Sequence, residues 1–155
     1  MRRKDREITD RSELEAILSE AQACRIAFAT GGAPYIVALS FGFSWEEELR
    51  LYFHGAREGR KIELMRRGGL VGFQLESGVQ LVTGAAACDW GMRYKSIVGS
   101  GRLEEVLDPE ERRLGLDHVM THYGFAGEPG YNPGSLGATT VLRLRVAEMT
   151  GKRRA

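Results

Sequence analysis

The fold is decided in the stretch Leu51-Tyr52-Phe53-His54-Gly55-Ala56-Arg57-Glu58-Gly59-Arg60-Lys61, where an apolar, β-prone run ends in a glycine-containing turn and a helix follows. Such a turn can direct several backbone N–H groups at an anion. Arg60 and Lys61 add two full positive charges, and a phosphate dianion is recognised by that mixture of donors and cations. A plain turn followed by a solvated basic helix explains the same residues, so both interpretations stay open.

His54 is the second feature of this stretch, because it lies at the end of the predicted strand beside the turn. Imidazole is the side chain whose ordinary pKa lies nearest to neutral pH, so His54 can donate to a ligand or act as a general acid. The structural alternative is a histidine whose ring binds a neighbouring carbonyl group.

Outward from this stretch, short apolar runs alternate with turn residues. The long connections carry helices, but helices and strands do not alternate regularly, which favours an α+β domain around an antiparallel barrel over a doubly wound sheet. Asp10 is predicted to cap the first helix, with Glu13 as its capping-box partner, and Asp108-Pro109 to start the last one. Helices are predicted at 10–22, 60–67 and 109–122, and strands at 24–29, 35–43, 49–54, 70–76, 94–107 and 139–149, with a short strand or loop at 79–83 and irregular chain at 84–94.

Length and charge limit the classes of protein to which the chain can belong. Its 155 residues fit one domain, 1–155, and the net charge of +1, from 22 basic and 21 acidic residues, gives no basic excess for nucleic-acid binding. No apolar run approaches the roughly 20 residues that span a bilayer, and the basic N-terminus lacks the apolar region of a signal peptide. Cys24 and Cys88 form no CxxC motif, so we expect a cytoplasmic protein without a disulfide framework.

A second candidate segment follows the Gly/Ala-rich residues and contains Trp90, Arg93, Tyr94, Lys95 and Ser96. The aromatic side chains could lie against a flat conjugated ring, and the polar ones could bind its rim or a phosphate. In a regular strand Tyr94 and Ser96 share one face while Arg93 and Lys95 share the other, so all four cannot reach one ligand. A dimer or core contact with surface cations is the alternative interpretation.

His118 and His122 stand four residues apart on a predicted helix, a spacing that suits a metal ion. The sequence has no HExxH motif, no cysteine nearby and no evident third ligand, so no metal site is predicted. Cys24, within an apolar strand, is interpreted as a core residue rather than a nucleophile.

Taken together and in order, several segments resemble the FMN-binding split-barrel proteins related to pyridoxamine 5′-phosphate oxidase. Within that family the chain is most similar to the group of nitroimidazole resistance-like proteins. Each motif alone is weak, but five in register are specific and cover nearly the whole chain. The matching segments are 1–8, 34–43, 51–61, 90–101 and 149–153.

The resemblance implies a mainly β, α+β fold: a six-stranded antiparallel split β-barrel with about three flanking helices. It also implies a homodimer that holds FMN at the subunit interface. The implied isoalloxazine-lining residues are Val37, Ala38, Leu39, Ser40 and Phe41, and those near the ribityl phosphate are Phe53, His54, Gly55, Ala56, Arg60 and Lys61. Ser96 corresponds to a polar position that touches the flavin, and the facing subunit is expected to supply Trp90 and Arg93.

Two departures from the family pattern affect the expected choice of substrate more than the expected binding of the cofactor. Many relatives have Pro-Leu-Asn where this chain has Ala38-Leu39-Ser40, and Ser where it has Gly91. Serine can still form hydrogen bonds, so FMN binding is expected to survive the change. The arginine-rich substrate signature of true pyridoxamine phosphate oxidases is missing, so that activity is not predicted.

The activity that the resemblance implies is that of an FMN-dependent oxidoreductase. The flavin would take a hydride from a nicotinamide donor and pass electrons to a small acceptor such as a nitroaromatic, with His54 as the catalytic residue that positions or protonates the acceptor. Two alternatives remain. The chain could be a non-catalytic flavin-binding protein for storage or sensing, or a split barrel that binds haem or a deazaflavin instead of FMN.

Overall fold

The computed structural model describes residues 3–154, so Met1 and Arg2 of the basic N-terminal cluster, together with Ala155, lie outside the described residues. Within these residues there are eight strands and four helices, with short 3-10 turns at Lys4–Arg6 and Ala87–Asp89. The strands are β1 Glu7–Ile8, β2 Cys24–Phe28, β3 Tyr35–Leu39, β4 Phe41–Trp45, β5 Leu49–Ala56, β6 Leu70–Val82, β7 Gly91–Glu105 and β8 Thr139–Arg154. The helices are α1 Arg11–Glu20, α2 Arg60–Arg66, α3 Pro109–His122 and α4 Pro133–Ala138.

All neighbouring strands pair antiparallel in the order β3-β2-β6-β7-β8-β5-β4, and β1 adds to β8. The two outermost strands, β3 and β4, are separated along the chain by Ser40 alone. The sheet therefore has to curve until its two edges meet at that residue. This is the mainly β, antiparallel split-barrel architecture that the sequence predicts.

The predicted strand at 35–43 is wrong in one respect, because it is two strands that break at Ser40. Its first half pairs with β2 and its second half with β5, on opposite edges of the sheet. The backbone N–H of Phe41, just after the break, donates to the hydroxyl of Tyr123 over 3.2 Å. That hydroxyl donates in turn to the carbonyl of Gln22 over 2.9 Å, so a tyrosine beyond α3 holds the break in place.

Two helices begin where the sequence predicts, because their capping residues are local signals. Asp10 accepts from the N–H of Glu13 over 2.9 Å, and Asp108 accepts from the N–H of Glu111 over 2.8 Å. The predicted capping box at α1 is wrong in its second half. The Glu13 carboxylate does not reach back to the cap but binds Arg153 of β8 over 2.8 Å.

Four elements differ from the sequence prediction because long-range pairing or an unnoticed cap decides them. The two predicted runs at 70–76 and 79–83 are one strand with a bulge, at which Gly78 has a φ of 61°. Pairing between β7 and β8 makes β7 begin at Gly91 rather than at 94 and makes β8 continue to Arg154 rather than end at 149. Helix α4 was not predicted, although Asn132 caps it by accepting from the N–H of Gly134 over 2.8 Å.

The helices occupy two kinds of position around the barrel. Helices α1 and α2 contribute Ile17, Leu18 and Ile62 to the main core, which contains the inward side chains of the strands. Helix α3 instead packs outside the barrel on β4 and β5, where Leu116 and Val119 form a second apolar cluster. Among residues 3–154, no helix is long and apolar enough to cross a membrane.

Gly42 of β4 allows α3 to approach this closely. A Cβ atom at Gly42 would lie 2.2 Å from the carbonyl carbon of His118 and 2.4 Å from the backbone nitrogen of Val119. Because both atoms belong to the helix backbone, no side-chain rotation can relieve the overlap. The seating of α3 therefore depends on a glycine at this position.

We predict that Gly42→Ala lowers the free energy of unfolding by about 2 kcal/mol or more, since the helix must move to admit the methyl group. The matched control is Gly72→Ala in β6, where a Cβ would meet its nearest atom at an ordinary 3.8 Å. The control should stay within about 1 kcal/mol of the parent protein. Urea denaturation followed by circular dichroism measures both, and equal stabilities of the two variants would contradict this role for Gly42.

Candidate functional site

Lys61, the second residue of α2, carries a positive charge with no carboxylate to balance it. Its side chain is half-buried, and burial lowers the pKa of its ammonium group from the ordinary value. Among residues 3–154, no Asp or Glu lies within ion-pair distance of it. A partly desolvated cation without a partner is a favourable position for an anion.

Gly55 leaves the space that the Lys61 ammonium group occupies. A Cβ atom at Gly55 would lie 2.5 Å from Lys61 Nζ. The ammonium group therefore lies against bare backbone at the end of β5. We call this place, formed by Gly55, Arg60 and Lys61, the Lys61 cradle.

Arg60 extends the positive surface of the cradle toward β3. Its guanidinium carbon lies 4.7 Å from the centre of the Tyr35 ring, which is the distance of a cation–π contact. The Arg60 side chain is exposed, so its planar donors stay open to solvent or to a ligand. Helix α2 has only seven residues, so the two side-chain charges supply most of the positive potential here.

His54 lies next to Gly55 in sequence but faces the other side of β5. Successive side chains of a strand alternate, and His54 shares the face of Tyr52, which α3 covers. There His54 lines a cavity of about 390 Å³ between β5, α3 and the segment 130–139. The structure therefore separates the predicted catalytic histidine from the side chain of Lys61. We call this space the His54 cavity.

The predicted ring-lining strand presents alternate side chains to opposite sides. Val37 and Leu39 pair with inward residues of β2 and pack against the core, whereas Ala38 and Ser40 are exposed. Ile36, on the outward face, is 60% exposed and was not among the predicted residues. The period-2 alternation of this strand was the signal that could have identified it.

Two other predicted cofactor residues lie wholly inside the barrel. Phe41 and Phe53 are directly paired neighbours on β4 and β5, and neither has exposed surface. They support the strand ends from within and offer no side-chain surface to a ligand in this conformation. Ala56, the last residue of β5, is exposed beside the turn that leads to α2.

The side chains of the second candidate segment point to opposite faces of β7, as their spacing predicts. Ser96, together with Tyr94, lines a cavity of about 520 Å³ on the outward face of β6, β7 and β8. Lys95 points to the other face and lies 3.5 Å from the carboxylate of Glu13. Arg93 shares that second face and is exposed.

Trp90 lies just before β7 in the turn that joins it to β6. Its indole N–H donates to the carbonyl of Gly84 over 3.0 Å, which fixes the ring while leaving 53% of the residue exposed. The structure thus brings Gly55, Arg60 and Lys61 together within one chain. Trp90, Arg93 and Ser96 lie on another part of the sheet, on β7 and the turn before it.

Both remaining histidines take part in packing contacts. His118 stacks on Tyr52 with ring centroids 5.4 Å apart, and burial lowers the pKa of its imidazole. His122 Nε2 lies 2.8 Å from the carbonyl oxygen of Ala21. Cys24 is fully buried, and burial raises the pKa of its thiol to about 12, so it lacks thiolate reactivity at neutral pH.

Comparison with known proteins identifies the family and agrees with the fold. The family model described as pyridoxamine 5′-phosphate oxidase matches residues 10–153. The crystal structure of a candidate 5-nitroimidazole antibiotic resistance protein from Bacteroides thetaiotaomicron is 32% identical, with a TM-score of 0.79, over 95% of this chain and 86% of that chain. No curated protein matches the chain in sequence.

Two further solved structures share the fold. A FAD-binding protein from Mesorhizobium loti is 26% identical, with a TM-score of 0.65, over 97% of this chain and 98% of that chain. A flavocytochrome from Azotobacter vinelandii is 21% identical, with a TM-score of 0.80, over 100% of this chain and 72% of that chain. The family model spans almost every described element, and the Bacteroides structure matches over nearly the whole chain, so this protein belongs to the pyridoxamine 5′-phosphate oxidase family.

Proposed function

We propose that this chain is an FMN-binding flavoprotein that works as a homodimer and transfers electrons from a nicotinamide donor to a small acceptor such as a nitroaromatic. The observation that carries the proposal is the unpaired, partly desolvated ammonium group of Lys61 against Gly55. Structural relatives described as a FAD-binding protein and a flavocytochrome support a flavin as the ligand.

The Lys61 cradle suits the terminal phosphate of FMN for reasons of charge. A phosphate dianion would supply the counter-charge that Lys61 lacks, and a charge-assisted hydrogen bond is strongest where water is partly excluded. Arg60 can donate from its exposed guanidinium group while its plane rests on Tyr35. FMN, when bound, supplies the hydride and electron chemistry, and the protein binds and orients it.

We propose the open outward face of the sheet as the place for the flavin ring and for the second subunit. Directly paired residues form an outward row across five strands: Ala38, Arg25, Gln74, Val98 and Thr150. Val98 is 51% exposed and Ile36 is 60% exposed on this face, so it offers apolar area to another molecule.

The same face carries charges of both signs, which suits pairing with a second copy of the chain. Arg25 and Glu76 form an ion pair of 2.8 Å here, and Lys152 lines the cavity beside Ser96. A two-fold interface places the same patch on both subunits, so the patch must complement itself. In such a dimer Ser96 of one copy, on the outward face, would approach the flavin held by the other, which accounts for its separation from Lys61 within one chain. Trp90 and Arg93 stay expectations of the family resemblance, since Arg93 lies on the opposite face of β7 from Ser96.

The first prediction of this proposal concerns binding of the FMN phosphate. Lys61→Met should weaken FMN binding by about tenfold or more, because it removes a charge-assisted hydrogen bond. It should also stabilise the flavin-free protein, because the charged form of Lys61 is desolvated without a partner. Fluorescence titration with FMN and thermal unfolding measure the two effects, and Lys4→Met, at an exposed lysine, is the control.

The pH dependence of binding follows from the same residue. Burial lowers the pKa of Lys61 in the free protein, and a bound anion raises it. Affinity for FMN should therefore be full below the lowered pKa and decline as the pH rises through it. Unchanged affinity in Lys61→Met would place the phosphate elsewhere.

The second prediction concerns the dimer. Val98→Asp should convert the dimer to a monomer and weaken FMN binding with it, because a carboxylate would be buried in the interface. The matched control is Leu107→Asp, since Leu107 is an exposed leucine between β7 and α3. Analytical ultracentrifugation gives the oligomeric state, and a dimer that survives Val98→Asp would contradict the proposed interface.

The third prediction of this proposal distinguishes an FMN-dependent enzyme from a non-catalytic flavin-binding protein. His54→Ala should lower turnover by about 10²-fold while leaving FMN affinity nearly unchanged, because His54 faces away from the Lys61 cradle. His54→Gln keeps a hydrogen-bonding side chain and tests whether positioning alone restores the rate. Steady-state oxidation of NADH or NADPH with a panel of acceptors is the assay. Equal turnover in His54→Ala would remove His54 from the mechanism.

A further inference from the structure

The His54 cavity is built within one chain and has an apolar floor. Leu116 and Val119 of α3 are buried beneath it, and Leu136 of α4 packs against the same cluster. Its volume of about 390 Å³ lies at the lower end of the range found for small-molecule sites. It therefore has room for a molecule of one or two rings.

Two cations close to this cavity in sequence are directed at backbone carbonyl groups, and Arg113 pairs instead with Asp117. Arg57 donates to the carbonyl of Gly137 over 3.0 Å, and Arg112 donates to that of Thr139 over 2.9 Å. No Asp, Glu, Lys or Arg is among the described residues that line the cavity. A charged ligand would lose its hydration there without gaining an opposite charge from those four residue types, so the cavity disfavours ionised molecules.

The rim nevertheless offers specific hydrogen bonds. The Asn132 side-chain oxygen accepts from the N–H of Gly134 over 2.8 Å, which orients the amide and leaves its nitrogen as a donor. The hydroxyl of Tyr131 donates to Asp117 over 2.7 Å, so it is already engaged. His54, Asn132 and Ser135 are thus polar side chains with free hydrogen-bonding capacity at the rim.

We propose that the His54 cavity binds a small, uncharged aromatic molecule that carries a polar substituent, with Asn132 and Leu136 determining which molecule fits. The ring would lie on the apolar floor, and the substituent would reach the rim groups. The binding itself does not require a flavin. The assignment of this ligand as the electron acceptor rests on the proposed function.

The test compares benzamide with benzoate, which share one ring and differ in charge. Each is titrated into the full chain near neutral pH and followed by ¹H–¹⁵N NMR. Benzamide should shift amide signals of α3 and of residues 130–139 with a saturable curve, and benzoate should bind at least about tenfold more weakly. The same titrations are repeated on Leu136→Trp and on Leu114→Trp.

The two variants make the same chemical change at different places. Leu136→Trp should fill the cavity and weaken benzamide binding about tenfold or more. Leu114→Trp, at a leucine of α3 that is 50% exposed and does not line the cavity, should leave it unchanged. Benzoate binding as tightly as benzamide, or equal benzamide affinities in the two variants, would overturn the proposal.

A parallel FMN titration on the same samples distinguishes this inference from the proposed function. Benzamide binding without FMN binding would contradict the proposed FMN site and support the ligand proposed for the His54 cavity. FMN binding without benzamide binding would contradict the ligand proposed for the His54 cavity and support the FMN site. Where both bind, Leu136→Trp should raise the KM for an uncharged aromatic acceptor without changing FMN affinity, and an unchanged KM would refute the acceptor role.

Discussion

Ser40 is the only residue between the two edge strands of the sheet. This short link makes the sheet curve, so that one face becomes the inner, buried face and the other the outer face. Because β3 and β4 pair at opposite edges, the sheet must curve to bring them end to end. Helices α1 and α2 bury their apolar faces in the main core, and α3 covers the outside of β4 and β5. The outside is thus covered on one part and open across β3, β2, β6, β7 and β8.

This division explains how one strand lines both the Lys61 cradle and the His54 cavity. Along β5, Phe53 and Gly55 belong to the inner face, and Tyr52 and His54 belong to the outer face beneath α3. A step of one residue therefore separates the Lys61 cradle from the His54 cavity. Lys61 differs from the exposed cations because burial partly desolvates its ammonium group while no carboxylate of residues 3–154 lies within ion-pair distance of it.

Sequence reasoning succeeded where the determinants are local and failed where they are distant. The caps at Asp10 and Asp108 and the turn after β5 are properties of a few neighbouring residues, so the starts of α1, α2 and α3 could be predicted. The end of β5 could not, because pairing with β8 carries the strand two residues past the predicted break, to Ala56. The break at Ser40 depends on which strands pair at the two edges, and the motif alone does not contain that information. The motif at 51–61 likewise singled out both His54 and Lys61, but it did not predict that their side chains lie on opposite sides of β5.

The absorption spectrum of the freshly purified full chain, recorded again after addition of excess FMN and removal of the unbound part, tests the central claim most directly. The account predicts the two flavin bands of the near-ultraviolet and blue, with one FMN retained per chain and less FMN retained by Lys61→Met. A Soret band in the purified protein, or a chain that retains no FMN, would contradict it.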